Sequence, residues 1–164
     1  WRGSRRARAV LALGAMGLLA VGLWKATAIA DYLSVILDLD SPTRGTASGA
    51  TGRERLHQVI QKYVEITTTV HGRCLHRVPD VELTPEVRDR LRAVKRKVDA
   101  RIRDLLRQGV RDGSLRTADV RMSTFAISGA MNSIAQWYDP AGQLSPPEIA
   151  ERLWDAFAEG LRPR

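Results

Sequence analysis

The stretch TPEVRDRLRAVKRKVDARIRDLLRQGVRDG, residues 84–113, decides the fold class. In it Val87, Leu91, Val94, Val98, Ile102, Leu105 and Leu106 recur at three- and four-residue steps. That is the period of a helix burying one stripe and exposing the rest. Thr84 stands at the N-cap position and Pro85 at the first helical position, where its missing N–H costs nothing. The helix is expected to run to about Asp112, with Gly113 supplying the left-handed stop. Arg and Lys outnumber acids from Arg88 to Arg116, a pattern that reads first as a solvated helix face.

Working outward, the same period recurs on both sides. Thr51 and Glu54 have capping-box spacing. They open a helix with Leu56, Val59, Ile60, Tyr63, Val64, Thr67 and Val70 on one face, and Gly72 and Pro79 mark its end and the loop beyond. Past Gly113, Thr117 or Asp119 begins a helix that is apolar almost all round: Val120, Met122, Phe125, Ala126, Ile127, Gly129, Ala130, Met131, Ile134, Ala135 and Trp137. Such a helix must be covered on every side, by its own domain and often by a partner chain. Asp139 to Gly142 forms a turn. Ser145-Pro146-Pro147-Glu148 then opens a last helix carrying Ile149, Leu153, Trp154 and Phe157. No stretch alternates as a strand does, so the expected class is all-α.

The small-residue stretch Ser41 to Ala50 reads as a linker. It divides an N-terminal segment, 1–40, from a helical domain, 51–164. The 164 residues suffice for a real core. At 44% hydrophobic and 5% aromatic the composition is that of a soluble helical protein. The net charge of +8 favours an anionic partner. A single cysteine, Cys74, allows no intrachain disulfide and fits a reducing cytoplasm. His71, Cys74 and His76 lack zinc-site spacing, so no metal is expected. There is no phosphate loop, nucleophile elbow or paired-carboxylate motif. Neither catalytic residues nor a cofactor are therefore expected.

Residues 1–40 support two readings. The chain opens on Trp1, as a fragment or a gene read from the wrong start would. Arg2, Arg5, Arg6 and Arg8 precede the apolar run Val10 to Trp24, and a basic flank before such a run has the form of a signal or anchor segment. The run falls short of the ~20 residues of a spanning helix. This alternative would make the protein a membrane-anchored or exported helical binding protein.

The competing reading starts from Trp24-Lys25-Ala26-Thr27-Ala28-Ile29-Ala30-Asp31, which resembles the turn and second helix of TetR-family DNA-binding heads. Gly22 lies one residue further from the aromatic than the family pattern has it, and the Leu-Phe of the first helix is absent. No recognition helix follows. Tyr32 to Asp40 instead resembles the family's connector helix. On this reading Arg5, Arg6, Arg8, Lys25 and Thr27 are the remnant of a DNA-binding surface, giving salt-sensitive phosphate contacts without base readout.

From Thr51 to Leu161 the chain resembles TetR-family sensing domains, particularly those answering lipid-derived or acyl-CoA ligands. Three stretches carry the resemblance. Gly109-Val110-Arg111-Asp112-Gly113-Ser114-Leu115-Arg116 is similar to the family's Gly, three residues, Gly, one residue, Phe or Leu, Arg. Trp137-Tyr138-Asp139-Pro140-Ala141-Gly142-Gln143-Leu144-Ser145 is similar to its loop before the last helix. Ile149, Leu153, Phe157, Gly160 and Leu161 close the match.

The resemblance implies a helical bundle that dimerises through its last two helices. It also implies a cavity for a small apolar or acyl-CoA-like effector, and a two-state response of the DNA-reading heads. Phe125, Ile127, Met131, Ile134, Trp154 and Phe157 are the candidate interface. Tyr63, Thr67, His71, Phe125 and Trp137 are the candidate effector contacts. Expected partners are a second copy or a full-length relative, with DNA bound in intact family members and a membrane role disfavoured.

Overall fold

The structure is a computed structural model that describes residues 50–77 and 84–161, apart from the side chains of 74–77 and 160–161. The apolar run Val10–Trp24 and the DNA-binding remnant lie outside the described residues. Five helices follow one another: α1 Gly52–Thr68, α2 Val70–Arg77, α3 Pro85–Arg111, α4 Val120–Trp137 and α5 Pro146–Leu161. The described residues contain no strand, and none of their helices is long and apolar enough to cross a membrane.

Local chemistry sets the helix ends. The Thr51 hydroxyl accepts the Glu54 N–H at 3.2 Å, and the Glu54 carboxylate accepts the Thr51 N–H at 2.8 Å, closing the capping box. Asp119 caps α4 by accepting the N–H groups of Arg121 and Met122 at 2.7 and 3.0 Å. On α5, Glu148 reaches back to the Ser145 N–H at 2.8 Å. Gly113 ends α3 with a φ of 75°, a conformation that costs a residue without Cβ little.

One boundary differs from the sequence pattern. The expected continuous helix breaks at Thr69, and Val70 begins α2 on the exposed side. Thr68 donates to the Val64 carbonyl at 2.8 Å and Thr69 to the Ile66 carbonyl, also at 2.8 Å. Threonine hydroxyls thus compete for the helix carbonyls. The Thr69 hydroxyl then accepts the Gly72 N–H at 3.0 Å. A Cβ on Gly72 would lie 2.2 Å from the Ile66 carbonyl oxygen, so this tight kink requires glycine.

Helix α1 is the centre of the fold and touches all four other helices. Its Leu56, Ile60 and Val64 pack with Ile102, Leu105 and Leu106 of α3, with Ile127, Met131 and Ile134 of α4, and with Ile149 and Trp154 of α5. Burial of each such side chain contributes about 1.5–3 kcal/mol. From Leu91 to Leu106 the predicted stripe of α3 is the buried one, while Val87 is half-buried.

Helix α1 begins against the end of α3. The Gly52 N–H donates to Asp112 at 2.7 Å and the Arg53 N–H to the Ser114 hydroxyl at 3.2 Å. Two otherwise unsatisfied donors of the α1 N-terminus are therefore met from the turn that follows α3. Leu115 folds back, its N–H donating to the Gly109 carbonyl at 2.9 Å. This contact explains the glycines of the Gly109–Arg116 stretch physically. Gly109 lies under Gly52 on one side and Leu115 on the other.

The junction has an acid-side consequence. The Ser114 hydroxyl, then the Gly52 N–H, hold the Asp112 carboxyl below the usual carboxylate range. The capping interactions with Thr51 and Ser145 do the same for Glu54 and Glu148. A carboxyl depressed in the folded state contributes stability that is full above its unfolded value of about 4. That contribution is lost as pH falls through the folded value. Urea midpoints should accordingly fall between neutral pH and the acid range, and Asp112→Asn should give a shallower fall. An unchanged acid slope in Asp112→Asn would count against this role.

Candidate functional site

A shallow cleft lies where α1, α3 and α4 meet, lined by Tyr63, Lys95, Val98, Asp99, Ser128, Met131 and Asn132, with a cavity volume of about 10 Å³, room for about one water. Helical spacing makes it. Lys95 and Asp99 stand one turn apart on α3, as do Ser128 and Asn132 on α4, so each pair shares a face. The Tyr63 hydroxyl donates to Asn132 Oδ1 at 2.5 Å, and the Ser128 hydroxyl donates to Asp99 Oδ1 at 2.6 Å. Val98 and Met131 form an apolar floor, both buried. A few polar groups over an apolar lining is the usual make-up of a small-molecule site.

One turn along α1 from Tyr63, the fully buried Thr67 leaves its hydroxyl without a hydrogen-bond partner. An unmet buried hydroxyl costs about 1–3 kcal/mol.

The residues singled out from the sequence divide among three places. Tyr63 lines the cleft and Thr67 lies buried on the same helix. His71 is half-buried on α2. Phe125 and Trp137 stand exposed on the outward side of α4. Ile127, Met131, Ile134 and Trp154 belong to the core of the single chain, and Phe157 is partly buried against it. Ser128, Asn132, Lys95 and Asp99 were not among the sequence candidates. For Ser128 and Asn132 the one signal is a polar pair spaced one turn apart on a mostly apolar α4.

A second polar cluster ties α5 to α1. His57 stacks on Trp154 with centroids 4.6 Å apart and meets Glu151 at 3.1 Å. Gln61 donates to the same carboxylate at 2.7 Å. The Gln61 hydrogen bond, and then the neighbouring His57, lower the Glu151 carboxyl. The Arg53 guanidinium lies 5.5 Å from the Trp154 ring, a cation–π contact. Trp154 is thereby committed to the contact within one chain. Among the described residues no cluster of His, Cys, Asp and Glu is placed to hold a metal.

Residues 49–161 match the family model described as the tetracyclin repressor-like C-terminal domain. No curated protein matches the chain. Solved structures share the fold. A TetR/AcrR-family transcriptional regulator from Thermobifida fusca superposes with a TM-score of 0.64 at 22% identity, covering 85% of this chain and 71% of its own. A tetR-family regulatory protein from Rhodococcus RHA1 gives 0.69 at 16% identity, covering 87% and 74%. FadR from Bacillus subtilis, in complex with stearoyl-CoA, gives 0.60 at 15% identity, covering 85% and 73%. The five-helix domain, its match over more than half of the sequence and these folds agree: the chain belongs to the tetracyclin repressor-like C-terminal domain family, whose members are transcriptional regulators and not enzymes.

Proposed function

We propose that this domain is the effector-sensing and subunit-pairing part of a repressor, and that its effector is a small, mainly apolar molecule such as an acyl-CoA. The observation that carries the reading is the cleft between α1, α3 and α4, with the unpartnered Thr67 hydroxyl one turn beyond it. Tyr63 and Thr67 contribute from α1 and His71 from α2. FadR, of similar fold, holds stearoyl-CoA.

The cleft's cavity volume of about 10 Å³ is far below the roughly 300–1,000 Å³ of a drug-sized ligand's pocket. Seating such a ligand therefore requires α3 and α4 to part. Helix α4 also carries the exposed apolar face, where α4 and α5 meet a second copy or a full-length relative. Phe125, Trp137 and Phe157 reach that partner, while Ile127, Met131, Ile134 and Trp154 form the layer beneath. One helix thus couples filling of the cleft to the spacing of two subunits.

Scanning calorimetry with stearoyl-CoA tests the sensing role. At a hundredfold excess over Kd, the acyl-CoA should raise unfolding free energy by about 2.7 kcal/mol. No rise with either a long- or a short-chain acyl-CoA would sink the proposal. DNA contact would fall to the residues before 50, with Arg5, Arg6, Arg8, Lys25 and Thr27 as its phosphate contacts. In fluorescence-anisotropy titrations of the full chain, duplex binding should be weak, sequence-blind and erased by about 0.2 M salt. Selective binding surviving that salt would require a working recognition helix.

A further inference from the structure

We infer that the cleft selects a ligand presenting a carboxylate or carbonyl oxygen, received by the Asn132 amide N–H groups and the Lys95 ammonium. This rests on the reading of the cleft as the effector site and specifies its chemistry. Asn132 Oδ1 is occupied by the Tyr63 hydroxyl, and Asp99 Oδ1 by the Ser128 hydroxyl. The Tyr63 hydroxyl meets Asn132 Oδ1, and Asn132 Nδ2 carries two N–H donors that no hydrogen bond among the described residues occupies. Lys95, exposed at the rim, brings three more donors and no acceptor.

Asn132 Oδ1 and Asp99 Oδ1 are thus engaged from within the protein, while among the described residues no hydrogen bond occupies the Asn132 amide N–H groups or the Lys95 ammonium, and the second Asp99 oxygen remains beside them as an acceptor. An unmatched donor in a partly closed site penalises a ligand that cannot accept. The apolar floor of Val98 and Met131 suits the carbon chain behind such a group. Asp99 limits the charge. Its carboxylate offsets the Lys95 cation across one turn of α3, so the site has no net charge. It accommodates a neutral carbonyl or a single carboxylate better than a multiply charged phosphate. A fatty acid and the thioester of an acyl-CoA share this acceptor chemistry.

The test uses the full chain and four probes with the same ten-carbon tail: decanoate, decanoyl-CoA, decylamine and decyl phosphate. Binding is read by calorimetry and by the side-chain amide resonances of Asn132. Decanoate or decanoyl-CoA should bind and shift those resonances, and comparison of the two identifies the source of the oxygen. Decylamine and decyl phosphate should bind more weakly. Asn132→Asp keeps an acceptor for Tyr63 and replaces the donors with a carboxylate. It should weaken decanoate about tenfold or more without weakening decylamine. Lys95→Met, at an exposed position, should weaken decanoate severalfold and leave the fold intact. Tighter binding of decylamine than of decanoate overturns the inference but leaves the cleft as a site. Unchanged decanoate affinity in both variants also overturns it. If no probe shifts the Asn132 resonances, the effector-site reading fails with it.

Discussion

If subunits pair as proposed, a chain carrying Met122→Glu and Phe125→Glu is expected to sediment as a monomer at concentrations where the parent chain sediments as a dimer. Met122 is 61% exposed, Phe125 47% and Trp137 51%. Ala126, Gly129 and Ser133 are spaced between them on the outward side of α4, and the first two are exposed as well. Large apolar residues flanking small ones along one stripe make a face that a second helix can approach closely, and such patches on soluble domains mark interaction sites. Arg121 lies over the Phe125 ring at 5.6 Å and frames the patch with charge.

Interface anchors of this kind are each worth about 2 kcal/mol or more. Two carboxylates brought into the seam should therefore raise the dimer dissociation constant by roughly a hundredfold or more. Both positions face away from the single-chain core, so helicity should match the parent. Sedimentation velocity with circular dichroism checks both statements. A double variant that remains dimeric would place the pairing surface elsewhere.

The second large effect is expected at Gly52. A Cβ there would lie 2.2 Å from the Gly109 nitrogen, 2.5 Å from its Cα and 2.7 Å from the Leu105 carbonyl oxygen. All three are backbone atoms of α3, which cannot swing aside as a flexible side chain does. Gly52→Ala must push α1 away from α3, at a cost of about 1–3 kcal/mol for overpacking. The shift also misaligns the Gly52 and Arg53 N–H groups from Asp112 and Ser114. Urea unfolding of the variant should show a lowered midpoint with an unchanged slope. Gly129→Ala, placed in the monomeric double-Glu background, is the control. A Cβ at Gly129 meets nothing within 4 Å, so alanine in mid-helix should stabilise by about 0.5–1 kcal/mol. A Gly52→Ala chain as stable as its parent would mean that the helices separate at no cost.

The contrast between these glycines shows how far the sequence could be read. The Gly109–Gly113 spacing identified an ending similar to that of a known family. It carried no information that Gly52, far away in the chain, was the element to be accommodated. The Thr51–Glu54 box, Asp119 as a cap and Gly113 as a stop were legible because each is satisfied within one turn of chain. The α3 stripe was legible because one of its faces is apolar and the other charged. The break at Thr69 was not, since Val70 continued the apolar period while the hydroxyls of Thr68 and Thr69 ended the helix.

The candidate site divides in the same way. Tyr63 stood on a plain apolar face and was visible as a residue with a polar tip. Its partner Asn132, 69 positions away, and the Ser128–Asp99 bond across 29 positions have no local signature. Helix α4 is the sharpest case. Its sequence is apolar nearly all round, so periodicity assigns it no inner side. Packing against α1 and α3 turned Ile127, Met131 and Ile134 inward and left Met122, Phe125 and Trp137 outside. The sequence by itself determined the helices, most of their ends and the family, because backbone capping and one-sided apolar stripes are short-range physics. Which residues face a ligand, a partner or the core was decided by the tertiary structure alone. That choice depends on which surfaces distant helices cover.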